Sequence, residues 1–132
     1  MASGRSHLGV PARSAARVAQ TRFGRYARRA PRTRLSRVIE IMRFRLAPGG
    51  DEAELTAADR RLQQEFAYQQ PGLLRRTTAR GTDGGWIVID LWRSASHADA
   101  CAVRWDSDPA VAAFMALVDG SSVTIERFWP LD

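Results

Sequence analysis

One heptapeptide, Trp86-Ile87-Val88-Ile89-Asp90-Leu91-Trp92, limits the folds open to this chain more than any other stretch. It follows the turn Thr82-Asp83-Gly84-Gly85 and ends just before Ser94, a residue suited to cap a following helix. Side chains alternate across a strand, so Ile87, Ile89 and Leu91 line one face while Trp86, Val88, Asp90 and Trp92 line the other. Both rows are apolar, whereas a strand with one wet face shows a polar residue at every second position. The strand therefore needs cover on both sides: helices of its own chain on one, a second subunit on the other. Asp90 sits between two tryptophans, where a carboxylate is costly to bury unless it is paired, hydrogen-bonded or used. It is the candidate catalytic residue, and a carboxylate merely bonded to a neighbouring Arg or Thr is the competing reading.

Charge divides the 132-residue chain in two. Residues 1–34 hold nine Arg and no acid, whereas the remainder holds eleven Arg and fourteen Asp or Glu, so the formal charge of +6 belongs to the first segment. The rest is mildly acidic, which argues against a basic groove for nucleic acid there. Residues 1–34 carry only scattered Val18, Phe23 and Tyr26 among Arg, Ala, Ser and Gly, and are expected to be disordered. An Arg-rich targeting presequence, a nucleic-acid-binding arm and upstream sequence translated from an early start codon all fit this composition. The break in composition at the first strand favours the last. All twenty basic residues are Arg and Asn is absent, a usage expected of a GC-rich bacterial gene. Cys101 is the sole cysteine, which precludes an intrachain disulfide, and no run of transmembrane length is present. A soluble protein in a reducing, cytoplasmic compartment is the expectation.

Residues 35–132 read as one domain. Arg37 to Leu46 is expected to be the first strand, with Ile39 and Ile41 on one face and Val38, Glu40, Met42, Phe44 and Leu46 on the other. Glu40 reads as a partner for an Arg on an adjacent strand rather than as a catalytic group. Asp51 with Glu54 opens a helix to about Gln69, with Leu55, Ala58, Leu62, Phe66 and Gln69 on its apolar stripe. Pro71-Gly72 stops it. Leu73 to Arg80 then pairs with the central strand across Asp83-Gly84 as an edge strand, on which Arg75, Arg76 and Arg80 read first as edge charges. Ser96 with Asp99 is expected to open a helix through about Trp105, and Asp108-Pro109 another with Val111, Phe114, Met115 and Val118 buried, closed by Gly120. His97 reads as a surface residue, because no second His, Cys or carboxylate lies at metal-ligand spacing. Cys101 reads as a buried, inert thiol. Ser122 to Trp129 is the last strand.

This order, strand, helix, strand, strand, helix, strand, is that of an α+β ferredoxin-like domain, with the first and third strands central and expected to run parallel. Helices cover one sheet face. Ile39, Ile41 and one row of the third strand remain for a second copy, so a homodimer is expected.

Four segments resemble the dimeric α/β-barrel superfamily, and within it the antibiotic-biosynthesis-monooxygenase-like domains: Gln70-Pro71-Gly72-Leu73-Leu74 with Arg76, Asp83-Gly84-Gly85-Trp86, Asp90-Leu91-Trp92-Arg93-Ser94, and Ser107-Asp108-Pro109 to Phe114. The resemblance covers about residues 36–130. It implies a pocket between sheet and helices in each subunit, roofed by helix residues. Family members include cofactor-independent quinone-forming monooxygenases and haem-degrading enzymes. The latter rely on an Asn near the first strand and a His on the second helix, whereas this chain has no Asn and carries Trp105 where relatives often carry His. The resemblance thus implies an oxygenase with no cofactor and no metal, acting on an aromatic or polycyclic molecule. Such chemistry needs an aromatic-walled cavity and polar groups that bind and deprotonate a phenol. Trp92, Trp105, Phe66 and Phe114 are the expected walls, with Asp90, Gln69 and Arg76 as polar contacts; ordinary core packing is the competing reading of the aromatics. A non-catalytic ligand-binding or dimerisation module, a haem-binding protein and an RNA- or DNA-binding protein using the Arg arm are the alternatives, with nucleic acid and membrane partners not expected of the domain.

Overall fold

The computed structural model describes residues 36–131, so the expectations for residues 1–34 lie outside the described residues. The chain runs β1 (Val38–Arg45), α1 (Glu52–Glu65), a 3₁₀ turn (Ala67–Gln69), β2 (Leu73–Arg80), β3 (Gly85–Trp92), α2 (Ala95–Trp105), α3 (Pro109–Met115), a second 3₁₀ turn (Gly120–Ser122) and β4 (Thr124–Phe128). The strands form one sheet in the order β2-β3-β1-β4, which makes Trp86–Trp92 part of a central strand as expected. The fold is ferredoxin-like α+β.

β1 and β3 pair antiparallel, not parallel. The topology requires it: the crossover through α1 leaves room for one strand between β1 and β2, and the hairpin after β2 sends β3 back into that gap. Its turn places Gly84 at φ +82, a conformation open to Gly at little cost.

The helices lie on the face carrying Val38 and Phe44 of β1 and Val88 and Trp92 of β3, all at most 2% exposed. Leu55, Leu62, Phe66, Val111 and Phe114 descend from the helix layer to close this core. Asp51 caps α1 by accepting from Ala53 N–H at 2.8 Å, and Asp108 caps α3 through Ala110 and Val111 N–H. Ser94, rather than Ser96, caps α2 by accepting from His97 N–H. α1 stops at Glu65 because Phe66 leaves helical geometry at φ −126°, so Gln69 falls on the following turn instead of the buried stripe.

His97 is half-buried rather than on the surface. Its Nδ1 lies 2.7 Å from Ser94 Oγ, and its ring packs on Gly72, whose φ of +83 and contact both exclude a side chain: a Cβ there would lie 2.3 Å from His97 Cγ. Gly72→Ala is therefore expected to lower stability by at least about 2 kcal/mol in urea unfolding. In a His97→Gly background, which removes the clashing ring and Cβ together, the same substitution is expected to cost only about 1–2 kcal/mol of backbone strain.

Candidate functional site

Between the sheet and α2 lies a cavity of about 80 Å³, several times the room one water needs. Its floor is Glu40, Met42, Val88, Asp90 and Trp92, and Ala98, Cys101 and Trp105 of α2 roof it. Asp90, Trp92, Trp105 and Arg76 of the expected site therefore converge, and the helix-facing orientation of Asp90 and Trp92 is the one found.

Phe66 stands behind this wall, edge-on to Trp105 at 5.8 Å between ring centroids. Phe114 is fully buried beneath Arg76, whose guanidinium carbon lies 6.0 Å from its ring centre. Gln69 is exposed and donates to Gln64 C=O, away from the cavity lining.

The polar floor of the cavity is a charged row that crosses the whole sheet. Arg76 on β2 opposes Asp90 on β3, Asp90 opposes Glu40 on β1, and Glu40 opposes Arg127 on β4. A helix carboxylate meets each end: Arg76 donates to Asp59 Oδ1 of α1 at 3.0 Å, and Arg127 donates to Asp99 Oδ1 of α2 at 2.7 Å. Inside the row Arg127 Nε donates to Glu40 Oε2 at 3.0 Å and Arg76 reaches Asp90 Oδ2 at 3.5 Å. Both guanidiniums are nearly inaccessible, 0% and 3% exposed, whereas Glu40 and Asp90 side chains keep 12% and 17%. Asp90 Oδ1 is buried without a hydrogen-bond partner.

Arg76 reaches this row through a β-bulge. Leu73 faces the helices opposite Trp92, so strict alternation would send Arg75 inward and Arg76 to solvent. The pairing skips a residue between Leu73 and Arg75, and the parity flips. Arg76 is accordingly 6% exposed rather than a free edge charge, and Thr78, two residues on, also turns in to donate to Asp59 at 2.9 Å.

Two carboxyls on adjacent strands, side by side and facing a largely apolar cavity, resist double ionisation. Burial pushes Glu40 up to about 7, against the pull of Arg127 and with the Asp90 charge adding to the rise. Trp92 lies near enough to draw Glu40 down slightly, without a hydrogen bond of ordinary geometry. Burial also raises Asp90, opposed by Arg76 and reinforced by Asp59. Cys101 is pushed up to about 12, chiefly by burial, and stays an unreactive thiol at neutral pH.

Sequence reasoning read Glu40 correctly as an Arg partner but did not bring it into the site. The available signal was Arg127, which alternates with Val123, Ile125 and Trp129 on an inward row and so demanded a buried acid. Asp59 gave a weaker signal, a carboxylate next to the apolar stripe of α1. Among the described residues no group of three or more His, Cys, Asp or Glu is arranged to hold a metal ion, and no helix is long and apolar enough to cross a membrane.

No family model matches the sequence, and no significant match was found among curated proteins. Solved structures do match. SnoaB, a cofactor-independent oxygenase from Streptomyces nogalater, superposes with a TM-score of 0.58 at 21% identity over 74% of this chain and 95% of its own. A Caulobacter crescentus protein provisionally named an antibiotic biosynthesis monooxygenase gives a TM-score of 0.62 at 18% identity over 75% and 93%. The chain shares the fold of these two proteins. A Mycobacterium tuberculosis protein shares that fold at a TM-score of 0.54 and 22% identity, over 74% of this chain and 97% of its own.

Within this domain the ionisation of Glu40 sets a pH dependence. A carboxyl whose folded-state pKa lies above its unfolded value binds its proton more tightly when folded, so its contribution to stability is complete below about pH 4.5 and is lost as pH rises to about 7. The loss is expected to reach about 3 kcal/mol at most. Urea denaturation of the wild type and Glu40→Gln between pH 4.5 and 8 checks this: the difference between them should shift in favour of Glu40→Gln as pH rises. In the same assay Trp92→Ala is expected to cost about 3–5 kcal/mol, because it empties a packed wall.

Proposed function

We propose that this protein binds an aromatic or polycyclic small molecule in the cavity between the sheet and α2, and oxidises it with dioxygen without a cofactor. The observation that carries the reading is a pair of raised carboxyls, Glu40 and Asp90, on the floor of a cavity walled by Trp92 and Trp105. Apolar walls favour a flat ring system, and a carboxylate is a competent acceptor for a phenolic or enolic proton. The resulting anion is electron-rich enough to react with dioxygen directly. Where the anion's charge is delocalised onto a ring methylene carbon, dioxygen bonds there as a peroxide that loses water: one oxygen atom becomes the new carbonyl, the other leaves as water with the two methylene hydrogens, and the substrate supplies all four electrons that reduce dioxygen. The shared fold with SnoaB supports this reading.

Catalytic Asp90, with Arg76 anchoring it, and walls Trp92 and Trp105 form the proposed site; Phe66 and Phe114 hold Trp105 and Arg76 from behind. The cavity is small, so a polycyclic substrate requires a side chain to move, and half-buried Trp105 at the end of α2 has solvent beside it.

A homodimer completes the reading. The face of the sheet away from the helices carries Ile39, Ile41, Ile87, Ile89, Leu91 and Phe128, with Ile89 36% and Phe128 44% exposed in the single chain. A second copy laid on this face would bury an apolar surface of the kind monomers rarely expose.

Two measurements test the proposal. With an oxygen electrode, hydroxylated anthracene derivatives are expected to give protein-dependent oxygen uptake that falls at least about 100-fold in Asp90→Asn if the carboxylate acts in proton transfer; uptake equal to the protein-free rate with every substrate contradicts the oxygenase reading. By light scattering the wild type is expected to be a dimer at micromolar concentration and Ile89→Glu a monomer. A monomeric wild type removes the dimer.

A further inference from the structure

We infer that Glu40 and Asp90 form one proton-sharing carboxyl pair, and that this pair, rather than Asp90 alone, takes the hydroxyl proton of a neutral hydroxyaromatic bound in the cavity. The inference rests on the functional reading above and deepens it by naming a second acceptor and the charge state of the ligand.

Three geometric facts support it. The two residues are direct register partners on the two central strands, on the same face, which puts their Cβ atoms about 4.5–5.5 Å apart. Both line the same cavity. Each is tied to its own arginine on the outer side, Glu40 Oε2 to Arg127 and Asp90 Oδ2 to Arg76, which leaves one oxygen of each carboxyl outside those two bonds. Asp90 Oδ1, buried with no hydrogen-bond partner, is the atom left over.

The surrounding charges set how many protons the pair holds. Facing it are Arg76 from β2, Arg127 from β4, Asp59 from α1, and Asp99 and the neutral thiol of Cys101 from α2. Asp59 and Asp99 each share one of the two arginines, so two cations are divided among four carboxyls. One shared proton relieves the repulsion that remains; burial raises both groups, and the Asp90 charge adds to the rise of Glu40. When a neutral phenol binds, its O–H bond breaks, the proton goes to the free carboxylate oxygen of the pair, and the electron pair stays on the phenolic oxygen. The total charge of the site is unchanged. A ligand that arrives already ionised would add a second negative charge beside the singly ionised pair and is disfavoured, so the site selects the neutral form.

The test has two arms. The first is a titration of the unliganded wild type carrying ¹³C-carboxyl Asp and Glu, followed by NMR. Glu40 and Asp90 are expected to report the same two steps, the upper one near neutrality, and Asp90→Asn to move the remaining Glu40 step down by about one pH unit or more. Independent steps in the ordinary carboxylate range would overturn the pair, and this arm needs no substitution to do so. The second arm uses 4-nitrophenol, whose neutral and ionised forms absorb at different wavelengths, and 4-nitroanisole, which has no proton to give. Below the pH at which free 4-nitrophenol ionises, the wild type is expected to bind it with a larger phenolate fraction than free solution. Glu40→Gln is expected to bind 4-nitroanisole as the wild type does, and 4-nitrophenol as the neutral phenol. An unchanged phenolate fraction in Glu40→Gln would overturn the acceptor role. Failure of either nitroaromatic to bind, with the shared titration intact, would overturn it too, and would show that the aromatic-ligand reading had failed rather than the pair.

Discussion

Two carboxyls held side by side at one register level of the central strands are the constraint on which the rest of the structure turns. Glu40 and Asp90 are fixed opposite each other by the β1–β3 ladder, on a face that also buries Val38, Val88 and Trp92. Neither can move away without shifting a whole strand and turning its apolar row to solvent. The fold therefore has to surround them. Arg76 and Arg127 do so from the two edge strands, and Asp59 and Asp99 tie those arginines to α1 and α2. The result is a polar layer across an otherwise apolar sandwich, connecting both edges of the sheet to the helix layer.

Such a layer is a poor source of stability. Taking guanidiniums and carboxylates out of water costs several kcal/mol per ion, and apolar residues of the same volume often hold a core together at least as well. Its arrangement fits a site better than a scaffold. The arginines are almost fully covered while the acids keep a little exposure at the cavity floor. Trp92 and Trp105 keep the acids' surroundings apolar, which sustains the upward displacement of Glu40.

The central strand, the apolar faces, the hairpin and the helix caps at Asp51 and Asp108 were legible in the sequence, because they depend on alternation, periodicity and turn chemistry over short stretches. So was the convergence of Asp90, Trp92 and Trp105, which needs only the correct face of one strand and one helix. Arg76 entered the expected site through family resemblance, while residue pattern alone placed it on an exposed edge. The bulge beside Leu74 decides the matter by one residue of parity, and nothing local marks it. The antiparallel pairing of β1 with β3 is likewise a property of the connections rather than of either strand. Glu40 was recognised as paired but not as the neighbour of Asp90, since that adjacency is a register between segments about fifty residues apart. Gln69 lay beyond the end of α1, where a helical stripe no longer applies.

A double-mutant cycle on stability with Glu40→Gln and Asp90→Asn, run at pH 5 and at pH 8, measures the interaction on which this account depends. At pH 8 the cycle is expected to return a repulsive coupling of about 1–3 kcal/mol between the two carboxylates, the magnitude of a like-charge pair in a partly screened interior, and at pH 5, where one shared proton joins them, a coupling that is no longer repulsive. A coupling that is attractive at pH 8, or the same at both pH values, would contradict it.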